Sequence, residues 1–238
     1  MNVDMNKEKQ LKKNIIKEIV YTDGSCLGNG KKNSKGGIGI YLYNTTIGAD
    51  ISIAKKLIKD TFQNNIFPVT NIRAEGLAIL YTLMIFKLKY VDYMVDFTSI
   101  LNFIDNMIWE KELVFAEKYY KNIFPQKRGQ SDNTTSTAGN RTICIYTDSK
   151  FWISVYTQWI QNWVHKNTLF EKKNIDILLQ VYYYTNILQN NNIGINFYHV
   201  NSHQVGKKLN LQARCNNHVD EIATMTNKLN TYKFTIIN

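Results

Sequence analysis

Four carboxylates lie at the ends of strand-like segments or near the starts of helix-like segments, and their types and spacing could support chemistry. Asp23 follows a hydrophobic run in "YTDGSCLGNG", and Asp148 follows another in "YTDS". Glu75 lies near the start of the first long helical pattern, and Asp220 near the start of the last. Functional side chains of α/β sheets collect at strand ends beside a topological switch point. If the two Asp-bearing strands are parallel neighbours, we expect all four carboxylates to meet there.

Such a cluster predicts a metal site. Mutual repulsion would keep one carboxyl protonated or would bind cations. Hard oxygen donors, without a cysteine pair and with few histidines, favour Mg²⁺ or Mn²⁺ over zinc. Two such ions about 4 Å apart can stabilise the attacking water and the leaving oxygen of a phosphodiester. The predicted chemistry is therefore metal-assisted hydrolysis of a nucleic acid.

Each of these residues taken alone has a simpler interpretation. Asp-Gly is a common turn dipeptide, so Asp23 alone favours a turn. The helix macrodipole stabilises an acid in a first helical turn, which alone would account for Glu75 or Asp220. Among the histidines, His199 lies in a strand-like segment, where a structural role is the simpler interpretation. His203 follows in a basic loop, where a proton shuttle and an ordinary surface histidine both stay open.

The elements that must position these residues alternate in type. Strand-like segments cover 18–25, 36–44, 49–57, 142–149 and 193–200, and helix-like segments cover 70–88, 149–163, 174–189 and 215–229. Thr70 or Asn71 is the expected N-cap of the first helix. Three strands, a helix and then alternating strands and helices predict an α/β domain with a mixed sheet.

The chain divides into a tail, a domain and an insertion. Residues 1–17 are polar and Lys-rich and predict a basic flexible tail, and residues 18–238 form the predicted domain. The segment at about 90–141 breaks the alternation of strands and helices. Apolar residues at helical spacing in 99–124 predict a helix there, and the polar run 126–140 predicts a flexible loop.

The bulk composition limits the class of protein and its partners. The 238 residues are 44% hydrophobic and 20% charged, which is a globular composition. The net charge of +10 favours a polyanionic partner, although solubility alone would also explain it. Three cysteines without a CxxC pair argue against a disulfide framework or a zinc ribbon. With no signal-peptide pattern and no apolar run near ~20 residues, we expect an intracellular protein, cytoplasmic or nuclear, that is neither secreted nor a membrane partner.

Four strings, taken in order, resemble ribonuclease H of type 1, the family that cuts the RNA strand of RNA–DNA hybrids. They are "YTDGSCLGNG", "TNIRAE", "YTDSKFWI…TQWIQNW" and "HVNSH…NNHVDEIA", which together cover most of residues 18–228. The "TNIRAE" string and the linker "GNGKKNSKGGIGIY" look closer to the eukaryotic type. The resemblance implies a ribonuclease H-like fold: a five-stranded mixed sheet flanked by helices, here with an inserted helical and loop segment.

The resemblance also implies roles for individual residues. Asp23, Glu75, Asp148 and Asp220 would be the metal-binding carboxylates, with two Mg²⁺ ions as cofactor and Mn²⁺ as a possible substitute. His203 would match the mobile histidine that assists product release or proton transfer. The positions that would contact the RNA–DNA hybrid are Ser25, Cys26, Asn29, Thr70, Asn71, Phe151, Asn174 and Asn216.

Within this set, the implied contacts divide between the two strands of the hybrid. The backbone of 25–28 would approach the RNA strand, and Asn29 and Asn71 would lie near its ribose hydroxyls. Thr70 and Asn174 match positions around a DNA-strand phosphate, and Phe151 matches an aromatic residue that packs on DNA sugars.

Three functions follow as hypotheses. The first is an endonuclease that hydrolyses the RNA of hybrids by a two-metal mechanism and gives 5′-phosphate products. The second is a non-catalytic hybrid-binding module, although a binding module has no need for four repelling carboxylates. The third is another nuclease on the same fold, such as a junction resolvase or a reverse-transcriptase-derived domain.

Overall fold

A six-stranded mixed sheet forms the centre of the computed structural model, which describes residues 15–31, 33–45, 48–57, 60–62, 65–123, 141–202, 204–206 and 209–237. The strands along the chain are β1 (Ile16–Leu27), β2 (Lys35–Tyr43), β3 (Ile51–Leu57), β4 (Asp60–Phe62), β5 (Asn65–Phe67), β6 (Arg141–Thr147), β7 (Ile193–His199) and β8 (Thr235–Ile237). The main sheet has the order β7-β6-β1-β2-β3-β8, and β4 and β5 form a separate hairpin.

The direction of the strands changes at β1. β1 pairs in parallel with β6, which pairs in parallel with β7, whereas β1, β2, β3 and β8 are antiparallel neighbours. The predicted mixed sheet is therefore confirmed, but its count of five strands is wrong by one. The additional strand β8 is a short C-terminal segment that pairs with β3, and three residues give too weak a pattern to be recognised in the sequence.

Helices cover both faces of the sheet. They are α1 (Asn71–Tyr90), α2 (Phe97–Asp105), α3 (Trp109–Ile123), α4 (Lys150–Ser154), α5 (Ile160–His165), α6 (Ile175–Asn190) and α7 (Leu211–Met225). A π-helical turn, Val155–Trp159, joins α4 to α5. Because successive strand residues point to opposite faces, Val20 and Ile40 belong to the large core with α1 and α6, whereas Tyr21 and Tyr41 belong to a smaller core under α7.

Two glycines allow the elements beside the strand ends to approach closely. A Cβ at Gly24 would lie 2.2 Å from the backbone nitrogen of Glu75, and a Cβ at Gly76 would lie 2.0 Å from the ring of Trp152. Neither contact is possible for a residue with a side chain, so α1 packs directly against β1 and against α4. The Trp152 indole also donates to the Ile72 carbonyl at 2.7 Å.

The insertion forms two helices rather than the one predicted from its apolar spacing. The chain leaves the helical conformation between α2 and α3, at Asn106–Ile108, and Ile108 is exposed. On α3 the buried face consists of Leu113, Ala116 and Tyr120, whereas Phe115 is 58% exposed. The predicted polar loop 126–140 lies outside the described residues, as do residues 1–14 of the predicted tail. No helix among the described residues is long and apolar enough to cross a bilayer.

Candidate active site

Asp23 and Asp148 are brought together by parallel pairing of their strands. Tyr21 of β1 is aligned with Tyr146 of β6, and each Asp lies two residues further along. Asp23 is 6% exposed and remains within β1, because β1 continues through its pairing with β2. Asp148 is the first residue after β6. The local sequence similarity of "YTDG" and "YTDS" thus corresponds to similar positions on adjacent strands.

Glu75 is fixed at the start of α1 by two neighbouring side chains. Thr70 caps this helix by accepting a hydrogen bond from the Arg73 backbone N–H. The Asn71 amide donates to Glu75 Oε1 at 2.8 Å, and the Ser149 hydroxyl donates to Glu75 Oε2 at 2.6 Å. Both oxygens of the Glu75 carboxylate are therefore held in defined positions.

Asp220 reaches the site from the middle of α7, not from near its start as predicted. The helix begins at Leu211 behind Asn210, whose side chain accepts from the Ala213 N–H, so Asp220 is more than two turns beyond the N-terminus. Glu75 is the fifth residue of α1, and neither α1 nor α7 carries an acid in its first turn. Since the macrodipole effect decays within the first turn, it does not account for either carboxylate.

All four carboxylates line one cleft of about 180 Å³ beside Gly24, Cys26 and Asn71. Burial raises the pKa of Asp23 to about 8, with further contributions from the negative charges of Asp148, Asp220 and Glu75 and an opposing one from the Gly24 N–H. Burial also raises the pKa of Glu75, and Asp148 adds to the shift, while the Ser149 hydroxyl opposes it. The carboxylates therefore repel one another in a partly desolvated site.

The carboxylate oxygens that line this cleft are the type of ligand that a hard divalent cation prefers. The ionisable side chains that line the cleft are carboxylates and the Cys26 thiol, whose pKa is raised by burial and which is therefore a poor ligand. In the described part of the chain, no three His, Cys, Asp or Glu side chains are spaced as the ligands of one ion. The observed geometry thus provides carboxylates that need counter-charge but does not show a closed coordination shell.

The residues predicted to approach the RNA strand surround one side of the cleft. Cys26 lines it and directs its Sγ to the Val69 carbonyl at 3.3 Å. Asn29 is exposed, and its Oδ1 accepts from the Asn71 backbone N–H at 3.3 Å. Ser25 donates its hydroxyl to the Ala223 carbonyl of α7 at 2.8 Å, so its side chain joins β1 to α7.

Thr70 and Asn174 are joined through Arg73, which was absent from the sequence-based set. The Arg73 guanidinium donates to Asn174 Oδ1 at 3.2 Å and makes two bonds to the Asp176 carboxylate, at 2.8 and 2.7 Å. Arg73 and Asp176 are almost fully buried. Asn174 adopts a left-handed backbone conformation, with φ of 61°. This buried pair fixes the start of α6 against the start of α1.

The other predicted contact residues differ in exposure. Phe151 is 38% exposed and packs edge-on against Trp152 and Trp159. Asn216 is 1% exposed, so the structure places it inside the protein rather than on a surface that could contact nucleic acid. Asn216 lies on the inner face of α7 with the buried Ala213 and Val219, which are three positions away on either side. His203 lies outside the described residues.

Three residues of the site were missed by reasoning from sequence: Ser149, Arg73 and Asp176. Ser149 directly follows Asp148 and is the N-cap of α4. Because capping alone explains a serine at this position, the sequence showed no sign of its bond to Glu75. Arg73 shares a helix face with Leu77, four residues away, and a cation on an apolar face signals a buried partner. No local pattern marks Asp176 as that partner, because the two residues are 103 positions apart.

Comparison with known proteins gives the following matches. The family model described as RNase H matches residues 130–228. The crystal structure of LC9-RNase H1, a type 1 RNase H with the type 2 active-site motif, is 14% identical, with a TM-score of 0.50 over 94% of this chain and 78% of that one. The solution structure of the prototype foamy virus RNase H domain is 16% identical, with a TM-score of 0.45 over 88% and 93%. No curated protein sequence matches the chain. The match to the LC9-RNase H1 structure confirms the predicted ribonuclease H-like fold class.

Proposed function

We propose, from the match of residues 130–228 to the RNase H family model, that the chain is an endonuclease that hydrolyses the RNA strand of RNA–DNA hybrids. Water would add across the bond between phosphorus and the 3′-oxygen, giving a 5′-phosphate and a 3′-hydroxyl. The observation that carries the proposal is the convergence of Asp23, Glu75, Asp148 and Asp220 on one cleft. A protein that only binds hybrids would gain nothing from this repulsion.

The four carboxylates would hold the metal ions of the reaction. Two Mg²⁺ ions, or Mn²⁺ in their place, would supply an activated water and stabilise the charge on the leaving oxygen. Binding of a cation requires ionised carboxylates. The cation therefore competes with the proton on Asp23, whose pKa is raised to about 8. Asn71 and Ser149 would keep Glu75 oriented while the charge of the cleft changes.

Discrimination between RNA and DNA would depend on the side of the cleft next to Asn29 and Asn71. A 2′-hydroxyl both donates and accepts hydrogen bonds, so short amide side chains suit its recognition. Asn29 is exposed at the cleft entrance, and its carbonyl already contacts the backbone of Asn71. The two asparagines would thus present one polar surface to the ribose.

The DNA strand would lie against the starts of α1 and α6. Thr70 accepts a bond from the Arg73 backbone, and its own O–H would donate to a phosphate. Asn174 accepts from the Arg73 side chain through Oδ1, which leaves its Nδ2 group as a second donor. Phe151 would pack on a deoxyribose, and the net charge of +10 would attract the phosphate backbone without selecting base sequence.

A cleavage assay tests this function. An end-labelled RNA–DNA hybrid is incubated with Mg²⁺ or Mn²⁺, beside single-stranded RNA, duplex RNA and duplex DNA of the same sequence. We expect metal-dependent cleavage of the hybrid RNA, its loss in Asp148→Asn and Asp220→Asn, and full activity in Glu221→Gln, which alters the exposed carboxylate next to Asp220.

Other outcomes contradict the proposal. Tight hybrid binding without turnover would indicate a binding module. Preference for a branched DNA would indicate a different nuclease on this fold. Cleavage undiminished in Asp148→Asn would remove the proposed metal site.

A further inference from the structure

The insertion between α1 and β6 concentrates exposed apolar side chains. Of the 18 large hydrophobic residues that are exposed in the described chain, six lie within residues 91–123: Tyr93, Val95, Phe103, Ile108, Val114 and Phe115. Exposed apolar residues scattered singly are ordinary, whereas those that share one contiguous patch mark an interaction surface.

Two of these residues, Phe103 and Phe115, line a groove of about 220 Å³. Its other apolar walls are Met84 and Leu88 of α1 and Met107, which follows α2. The groove lies where the two inserted helices meet α1 and α6. Methionine side chains adapt to different partners, so this lining suits a bulky apolar side chain from outside.

Polar side chains surround the groove and are already paired. Lys87 contacts Asp92 at 2.6 Å, and the Tyr184 hydroxyl donates to Glu112 at 2.7 Å. An apolar centre with a polar rim is the usual composition of a protein–protein contact. Because the polar groups have partners, burying the groove would not leave them unsatisfied.

The charge of the two inserted helices and the residues beside them is opposite to that of the whole protein. Residues 91–123 contain six acidic residues and three lysines, a net charge of −3, whereas the whole chain carries +10. This excess of acidic residues disfavours nucleic acid at the groove and, together with the apolar lining, favours a basic polypeptide.

We propose that this groove binds a helix of a partner protein, with large apolar side chains on one face and lysine or arginine residues beside them. An amphipathic helix that lays its apolar face in a groove is a common mode of peptide recognition. Met84 and Leu88 lie nine and thirteen residues beyond Glu75 on α1, or roughly 14–20 Å along the helix. The partner would therefore bind without covering the candidate active site and would tether the protein to another assembly. The inference does not depend on nuclease activity.

The test uses the full chain and a synthetic 16-residue peptide with leucines at helical spacing and lysines elsewhere, titrated by calorimetry at 150 mM salt. A second peptide carries glutamates in place of the lysines. We expect the basic peptide to bind more tightly than the acidic one, because the net charge of −3 on residues 91–123 attracts lysines and repels glutamates. Phe103→Ser/Phe115→Ser should weaken this binding about tenfold or more.

Ile15→Ser/Ile236→Ser is the matched control, since it removes two exposed apolar side chains that lie outside the insertion, the groove and the cleft. It should bind the basic peptide like the unmodified chain, and both double variants should fold and cleave hybrids normally. Equal binding of the two peptides, or equal affinity in the two double variants, would overturn the proposal. Self-association, or binding of single-stranded RNA, that is lost in Phe103→Ser/Phe115→Ser would assign the groove to a different occupant and also overturn it.

Discussion

The Ser149 hydroxyl donates to Glu75 Oε2 at 2.6 Å and thereby links the residue after β6 to the second turn of α1. The bond holds a carboxylate that is partly buried and lies beside Asp148. It joins two elements that are 74 positions apart in the chain. The orientation of Glu75 therefore depends on contacts from α1 and from the β6–α4 turn together.

Replacing Ser149 with alanine should lower hybrid cleavage more than stability. A hydrogen bond to a charged group contributes about 1.5–3 kcal/mol, so we expect a loss of roughly tenfold or more in kcat/KM. Thr45→Ala is the control, because Thr45 is also buried and bonds a backbone carbonyl far from the cleft. A similar loss of activity in both variants would show that the effect is one of stability alone.

The pKa of Asp23 predicts how the stability of the metal-free protein depends on pH. The folded state holds this proton up to about pH 8, whereas an unfolded Asp releases it near pH ~4. The folded state thus binds more protons across this interval, and the free energy of unfolding should fall as pH rises from about 4 to 8. Below this interval both states are protonated and the effect disappears.

Asp23→Asn should remove this dependence, because the amide stays neutral. In EDTA, the melting temperature of the variant relative to the unmodified protein should rise steadily from pH 5 to pH 8, as measured by circular dichroism. A difference in melting temperature between the two proteins that stays constant from pH 5 to pH 8 would contradict the assignment of the proton to Asp23.

The buried pair of Arg73 and Asp176 should make a large contribution to stability. Removing one partner from a buried ion pair leaves an uncompensated charge and costs about 3–5 kcal/mol. We expect such a loss in Asp176→Asn, measured by urea unfolding, with reduced affinity for the hybrid because Asn174 loses its orientation. Lys121→Ala disrupts the exposed pair with Glu117 and should cost less than about 0.5 kcal/mol. Equal costs for the two variants would refute the buried-pair argument.

Gly24→Ala should separate α1 from β1. The added Cβ would lie 2.2 Å from the backbone nitrogen of Glu75, and a backbone atom cannot move aside as a flexible side chain can. We expect a loss of roughly 1–3 kcal/mol in stability and strongly reduced cleavage. Gly194→Ala is the control, since its Cβ would meet the Thr142 side chain at 3.3 Å and the Arg141 carbonyl at 3.7 Å, without a clash. An active, stable Gly24→Ala protein would contradict the close packing.

The sequence alone identified the elements with strong local patterns and the carboxylates attached to them. Runs of β-branched and aromatic residues marked β1, β2 and β6, and the Thr70 cap marked the start of α1. The position of Asp148 at the end of β6 followed from these runs, whereas Asp23 lies within β1, four residues before its end. The sequence patterns failed where the signal is weak. They missed the three-residue strand β8, and they placed the start of α7 too late, so Asp220 and Asn216 were expected nearer to the start of that helix.

Only the tertiary structure decided which side chains meet. Parallel pairing of β1 with β6 brings Asp23 beside Asp148, and the crossing of α7 adds Asp220 from mid-helix. The bonds from Ser149 to Glu75 and from Arg73 to Asp176 connect residues 74 and 103 positions apart. Local sequence determines backbone conformation and the alternation of faces, but contacts at such separations arise from packing of the whole core, which no short pattern encodes.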